Sequence, residues 1–270
     1  AVTTTACLAG ELENYVPRVL VNRNAASEEM AALSREALAR REEYAASLDG
    51  EAPGAKERGE DGKEDGKSLP AERVCLGYFS GSITHNDDLA MILPVITALM
   101  EEYENLELHL TGELDVPGEL EPFHERIRVT PFTDWRELPA MLASVDINLA
   151  PLRETVFNRA KSENKWVEAA LVKTPTVASD TGAFREMVEN GRTGILCQNE
   201  QEWMEALRAL IDQPQYRAMI GEEAFRECCS RCVTSCTGQK LADFIKEMEN
   251  PGAVFFLPGF QVSGGVMVAL

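Results

Sequence analysis

The sequence predicts an α/β fold, a parallel sheet with helices on both faces. Three observations carry this reading. Apolar runs of strand length recur through the chain after Arg73. The stretches between them are mostly helical in pattern and about ten to fifteen residues long, the spacing of βα units. Turn residues follow the apolar runs, so the regions of Gly81, Gly112 and Lys161 can converge on one crevice outside the carboxyl ends of the strands, where ligands of such sheets bind.

Taken in order, Val19–Asn22 reads as a short strand, and Ser27 is placed to cap a helix running to about Ser47. Gly50–Pro70 is rich in Gly, Lys, Glu and Asp, with Leu69 its one large apolar residue, and predicts a mobile surface insertion over 50–70. RVCLGYF (Arg73–Phe79) is a buried-strand candidate, followed by the turn SGSITHN and a helix from about Asp87 to Glu104. LELHLTG (Leu106–Gly112) and IRVTPF (Ile127–Phe132) are the next two strands. TDWRELPAMLASV supplies a helix with Leu138, Met141 and Leu142 on its inner face. DINLAPL (Asp146–Leu152), TPTVAS (Thr174–Ser179) and TGILCQ (Thr193–Gln198) complete the set.

The chain has 270 residues, 44% of them hydrophobic and 26% charged, with a formal net charge of −19. A packed core is well within reach, while nucleic acid is excluded as a main partner and an anionic membrane is left at most a peripheral one. There is no apolar run of about eighteen residues, the minimum for a membrane span, and AVTTTACLAGELENYV lacks the regions of a signal peptide. The expected setting is cytoplasmic. Cys228, Cys229, Cys232 and Cys236 form a CCxxCxxxC cluster whose spacing is compatible with zinc or an iron–sulfur centre. No second ligand cluster accompanies it and the surrounding sequence reads as helix, so small semi-buried thiols in a reducing compartment are the preferred reading. Trp135 and Trp166 read as packing residues rather than sugar platforms.

The most informative segment is PLRETVFNRAKSENKWVEAALVKTPTVAS, Pro151–Ser179. Lys161, Lys165 and Glu168 fall at i, i+4 and i+7, which predicts one helix face carrying all three. Two cations near a helix start oppose its dipole, an odd choice in so acidic a chain unless an anion docks there. A diphosphate held by ammonium groups and backbone N–H groups fits. Glu168 then lies about 10 Å along the axis at roughly 1.5 Å per residue, near the span from a diphosphate to the ribose hydroxyls of a nucleotide-sugar. The plain alternative is a surface ion pair between Lys165 and Glu168, contributing a few tenths of a kcal/mol (about 0.3).

Five segments in this order, YFSGSITHNDDL, LELHLTGEL, PFTDWRELPAMLASVDINLAPL, FNRAKSENKWVEAALVKTPTVAS and ENGRTGILC, resemble the donor-binding, C-terminal half of GT-B fold glycosyltransferases. The likeness covers about Val19 to Met248 and is strongest to the retaining family-four type, in the branch associated with bacterial rhamnan and O-antigen synthesis. It implies a Rossmann-like domain over 25–250, with 1–24 the closing piece of a preceding acceptor domain. PGAVFFLPGFQVSGGVMVAL, 251–270, looks like the truncated start of a further α/β domain, so the chain is expected to be a piece of a longer protein and inactive alone.

The resemblance also implies roles. Glu168 matches the second glutamate of the family's Glu-x7-Glu motif, a contact to the donor ribose. The first falls at Ala160, so the motif is broken, and Asn158, Lys161 and Ser162 stand in that region for the diphosphate or sugar. Lys165 matches a lysine able to neutralise phosphate, leaving Lys161 and Lys165 to stabilise the leaving group. Gly81, Ser82, Thr84 and His85 replace the family's usual Arg and Lys after the first strand, and Gly112 and Phe132 complete the donor contacts. For His85 a helix cap, and for Gly81 and Gly112 plain turns, are the competing readings. The implied activity is retaining transfer of a sugar from a nucleotide-diphosphate donor to a glycan or lipid-linked acceptor in polysaccharide biosynthesis. No metal or other cofactor is required, and the adjoining domains of the polypeptide are the expected partners. A non-catalytic nucleotide-sugar-binding or scaffolding module is the alternative. A nucleotide-sugar epimerase is more remote, since no convincing acid/base pair of carboxylates is present.

Overall fold

The structure, a computed structural model, describes residues 1–50, 73–81 and 86–249, without the side chains of 48–50 and 86. Beyond its first residue the insertion expected at 50–70, and the domain start expected at 251–270, lie outside the described residues.

The chain opens with β1 (Val2–Thr3), α1 (Ala6–Leu12) and β2 (Leu20–Val21), whose two strands pair in parallel as a small separate sheet. α2 (Glu28–Gly50) follows, with the Ser27 hydroxyl accepting from the N–H of Met30 at 3.1 Å, the cap expected of it. Then come β3 (Val74–Ser80), α3 (Asn86–Ala90), α4 (Leu93–Glu102), β4 (Leu106–Gly112) and β5 (Ile127–Thr130). α5 (Leu138–Ala143), β6 (Ile147–Ala150), α6 (Val156–Arg159), α7 (Asn164–Ala170), β7 (Thr176–Ser179), α8 (Gly182–Met187) and β8 (Ile195–Cys197) complete the sheet region. α9 (Glu200–Asp212), α10 (Pro214–Arg231) and α11 (Thr234–Glu249) close the described chain.

All six long-sheet strands are parallel, in the order β5-β4-β3-β6-β7-β8. The chain works outward from β3 to β5, then returns to the other side of β3 as β6, so the order reverses between β3 and β6. Such a reversal opens a crevice at the carboxyl ends of the two strands.

β3 is buried along its whole length because its two faces feed two cores. Val74, Leu76 and Tyr78 meet Ile96 and Leu99 of α4 and Leu207 and Leu210 of α9. Cys75 and Phe79 meet Ala37 of α2, Leu142 of α5 and Ala169 of α7 on the opposite side. The expected helices on both faces are present.

Four elements depart from the sequence reading, each for a local reason. The helix expected over 87–104 breaks at Met91–Ile92 because Pro94 sits in the first turn of α4, where its missing N–H costs nothing. The strand expected over 127–132 stops before Pro131. The cysteine-bearing helix breaks at Cys232–Val233, where Val233 pairs with Ala26 instead of continuing the helical ladder. The lysine helix divides into α6 and α7, with Ala160–Glu163 as the turn between them.

Gly112 terminates β4 with φ +118°, and a Cβ there would lie 1.9 Å from the carbonyl oxygen of Ser80 on the adjacent strand. Backbone conformation and close approach both demand glycine. Gly81 has nothing within 4 Å of its would-be Cβ. Gly112→Ala should therefore lower stability by about 3 kcal/mol or more, whereas Gly81→Ala should stay within about 0.5 kcal/mol. Urea unfolding of the two variants side by side measures the contrast.

Candidate functional site

At the carboxyl ends of β3 and β6, where strand order reverses, lies a cluster of charged side chains drawn from three elements. Asp88 of α3 is 2% exposed, and its Oδ1 accepts from the N–H of Arg153 at 2.9 Å and from Nδ2 of Asn158 at 3.2 Å. Asn158 is oriented in turn by α6, where the Thr155 hydroxyl caps its N–H at 3.0 Å. Its second amide hydrogen goes to the Arg153 carbonyl at 2.9 Å. The carboxylate thus pins the connection after β6 to the helix after β3. Asp88 was not among the residues expected from sequence. Its signal, an acidic pair directly after the first strand's turn, is no different from an ordinary helix start.

Lys165 points from α7 to the end of β3, where its ammonium donates to the Phe79 carbonyl and lies 4.8 Å from the Tyr78 ring centroid. Burial pushes its pKa down to about 8, against the opposing pull of Glu168 and Asp88. Glu168, one turn further on, is pushed up to about 7 by the same desolvation, with Lys165 holding it back. Lys161 is half-buried, 5.1 Å from the Phe157 ring centroid, and its pKa is lowered by burial while Asp88 pulls it upward. Two basic and two acidic side chains therefore share one partly buried region, with Asp88 the most enclosed of them. Lys165 and Glu168 are not a solvated surface pair.

The route to this arrangement differs from the one expected. Lys161 does not share a helix face with Lys165 and Glu168; it stands in the turn between α6 and α7. The polar run KSEN favours local side-chain bonds over a continuous helix. Ser162 donates to Asn164 Oδ1 at 3.0 Å and accepts from Asn24 Nδ2 at 2.9 Å. Ser162 and the amide hydrogens of Asn158 are thus committed inside the protein. Gly81 is exposed at the end of β3, Gly112 lies across from Ser80, and Phe132 is 60% exposed after β5. Ser82, Thr84 and His85 lie outside the described residues.

A cleft of about 750 Å³ opens along the carboxyl ends of β6, β7 and β8, with Leu152, Glu154, Asp180, Arg185, Gln198 and Asn199 in its walls. None of the expected site residues lines it. The connection after β6 contributes to both places, Leu152 and Glu154 to the cleft and Asn158 and Lys161 to the charge cluster. Among the described residues, no group of three or more His, Cys, Asp or Glu side chains could hold a metal ion. Cys228 and Cys232 are buried, while Cys229 and Cys236 are exposed. Trp166 is fully buried and donates to the Thr193 carbonyl at 2.7 Å, so it is a packing residue. No helix of the described residues is long and apolar enough to cross a membrane.

A parallel sheet with helices on both faces, its strand order reversed beside β3, is the fold of structural neighbours of the GT-B type. HepE of Anabaena, solved with UDP-glucose, superposes with a TM-score of 0.62 at 15% identity, over 91% of this chain and 63% of that one. WaaG, a glycosyltransferase involved in lipopolysaccharide biosynthesis, gives 0.63 at 15% identity, over 90% of this chain and 62% of that one. The chain belongs to the group 1 glycosyl transferases, whose family model matches residues 75–213, just over half of its 270. The alpha-D-kanosaminyltransferase of Streptomyces kanamyceticus is 24% identical over 126 residues, 46% of this chain and 31% of that protein. The chain thus spans less than two thirds of each of these relatives.

Linkage between Lys165 and Glu168 gives a signed prediction. Glu168, raised in the folded state, favours folding below pH 4.5, and that contribution is lost as pH rises to about 7. Lys165, depressed, favours folding above pH 10.5, and that contribution is lost as pH falls through about 8. Between about pH 7 and 8 each group is half or more ionised, and neither favours folding. The Lys165→Met, Glu168→Gln double variant should therefore be the more stable protein in that interval, by about 1–3 kcal/mol. The advantage should shrink toward pH 5 and toward pH 10. Urea midpoints across the pH range test this.

Proposed function

We propose that the chain is the donor-binding part of a retaining glycosyltransferase, which moves a sugar from a nucleoside-diphosphate donor to a glycan or lipid-linked acceptor in polysaccharide biosynthesis. The observation that carries the reading is the desolvated pair Lys161 and Lys165 beside Glu168, at the point where strand order reverses. An ammonium whose pKa has fallen to about 8 is held at a cost that a bound phosphate offsets. HepE, a structural neighbour, was solved with UDP-glucose.

In this reading Glu168 accepts from the ribose hydroxyls, and Lys161 and Lys165 face the diphosphate. As the bond from the anomeric carbon to the leaving oxygen breaks, the bonding electron pair stays on the diphosphate and positive charge grows on the sugar. Fixed cations in a poorly hydrated crevice stabilise the departing anion more than they would in water. A second reading, a non-catalytic binding module, draws on Ala160 standing in place of the family's first glutamate and on Asn158 and Ser162 being spent on internal hydrogen bonds.

Calorimetric titration of the chain with UDP, GDP, dTDP and ADP tests the binding. At pH 8 Lys165 is about half protonated, so a bound diphosphate should draw up to about half a proton from the buffer, and far less at pH 6.5. Heats measured in buffers of different ionisation enthalpy read that uptake. Lys165→Met should abolish it and weaken binding about tenfold or more. Absence of heat with all four nucleotides would end the proposal. Since the chain alone is expected to be inactive, sugar transfer assayed with Lys161→Ala in a protein that also carries an acceptor-binding domain separates the two readings: an enzyme loses rate and a binding module has none to lose.

A further inference from the structure

The turn Ala160–Glu163, which carries Lys161, is held by residues more than a hundred positions earlier in the chain. Glu163 is fully buried, and its Oε2 meets Arg23 Nη1 at 3.3 Å. Its Oε1 has no hydrogen-bond partner among the described residues. The other arm of the same guanidinium bonds Glu186 of α8. Asn24 donates to the Ser162 hydroxyl at 2.9 Å, and the buried Thr5 hydroxyl donates to the Ala160 carbonyl at 3.4 Å. Ala160, Ser162 and Glu163 are each tied to the first 24 residues, with Lys161 between them.

The segment making these ties is itself anchored. Ala26 donates its N–H to the Cys232 carbonyl at 2.8 Å, and its carbonyl accepts from Thr234 at 3.0 Å, clamping it to the break between α10 and α11. From the far side, Gly182 of α8 (φ +49°) presses on the turn's entrance, where an added Cβ would lie 2.9 Å from the Arg159 carbonyl oxygen. The Glu163 carbonyl then accepts from the N–H groups of Trp166 at 2.9 Å and Val167 at 3.1 Å, which sets the start and direction of α7.

A buried carboxylate with one oxygen unpaired is a poor way to gain stability. Ion pairs in such positions are better at specifying one arrangement than at strengthening a fold. We infer that Arg23 is a positioning residue, through which the N-terminal segment fixes the turn 160–163 and thereby the placement of Lys161 and the start of the helix bearing Lys165 and Glu168. A lysine at 23 cannot reproduce this, because a single ammonium lacks the fork that reaches Glu163 and Glu186 together. The effect on ligand binding rests on the nucleotide reading above; the effect on the turn does not.

Two measurements on the 270-residue chain decide the matter. In hydrogen exchange, Arg23→Ala should cut the protection of the Trp166 and Val167 amides about tenfold or more, Arg23→Lys by less, and the control Arg18→Ala, which loses an exposed pair with Glu247 and a ring contact with Phe244 but no tie to the turn, not at all. Unchanged protection in Arg23→Ala would overturn the inference. The second measurement separates positioning from stability. Adding Glu163→Gln to Arg23→Ala removes the unpaired buried charge, so the thermal midpoint should recover, while the UDP dissociation constant stays about tenfold or more above that of the unsubstituted chain. Recovery of UDP affinity together with the midpoint would reduce Arg23 to a structural residue. Should the unsubstituted chain bind no nucleotide, the donor-binding proposal fails, and the exchange data alone still confirm or refute the role of Arg23 in the turn.

Discussion

A carboxyl group with 2% exposure sits where the sheet changes direction, held there by hydrogen bonds from the connection after β6. Asp88 receives a backbone N–H from Arg153 and an amide hydrogen from Asn158, both on the connection after β6. Its charge also pulls the pKa values of Lys161 and Lys165 upward, against the burial that lowers them. Asp88 therefore does two jobs: it joins α3 to the connection after β6, and it opposes the fall of the Lys161 pKa and, after Glu168, that of Lys165. Without it, desolvation would act on both ammonium groups with less to oppose it.

The arrangement is strained in an electrostatic sense. Glu168 and Lys165 are moved toward one another on the pH scale, to about 7 and about 8, so at neutral pH Glu168 is only about half ionised while Lys165 is mostly protonated. A solvated pair would have shown the opposite shifts, the acid falling and the base rising. The chain thus gives up folding free energy at the crevice, a pattern typical of sites that a ligand completes. Lys161 is less committed, half-buried beside an exposed phenylalanine, and the turn carrying it is held from outside by Arg23, Asn24 and Thr5. The N-terminal segment and the crevice are for that reason one mechanical unit.

Much of this was legible in the residues. The strand candidates at Arg73–Phe79, Leu106–Gly112, Ile127–Phe132, Asp146–Leu152, Thr174–Ser179 and Thr193–Gln198 all contain sheet strands, because each is an apolar run closed by a turn residue or proline. Lys161, Lys165 and Glu168 do share one region. The error lay in the path between them: a spacing of four and seven fits one helix, but KSEN spends its side chains on local bonds and the helix starts again at Asn164. Asp88, Arg23 and Glu163 were not singled out. Each has an unremarkable local setting, and its partners lie 65, 140 and 140 positions away in sequence. Periodicity speaks for neighbours on one element; it says nothing about which distant carboxylate will be buried under which guanidinium.

The acidity of the chain gives these few cations their weight. In the donor-binding reading, the field of a chain with formal net charge −19 opposes an approaching diphosphate, and salt at physiological strength screens that repulsion beyond about 8 Å without turning it into attraction. Attraction has to come from groups within contact range, where low hydration makes each charge count for more than it would at the surface. Such attraction is steep in distance, so a small displacement of Lys161 or Lys165 would forfeit most of it while the repulsive background stayed the same. A crevice of this kind has to be held in place from several sides at once. Asp88 holds it from α3, the Phe79 carbonyl from β3, and Arg23 from the start of the chain. The same number of lysines on a neutral protein could tolerate a looser frame; on this one, position and charge are a single requirement.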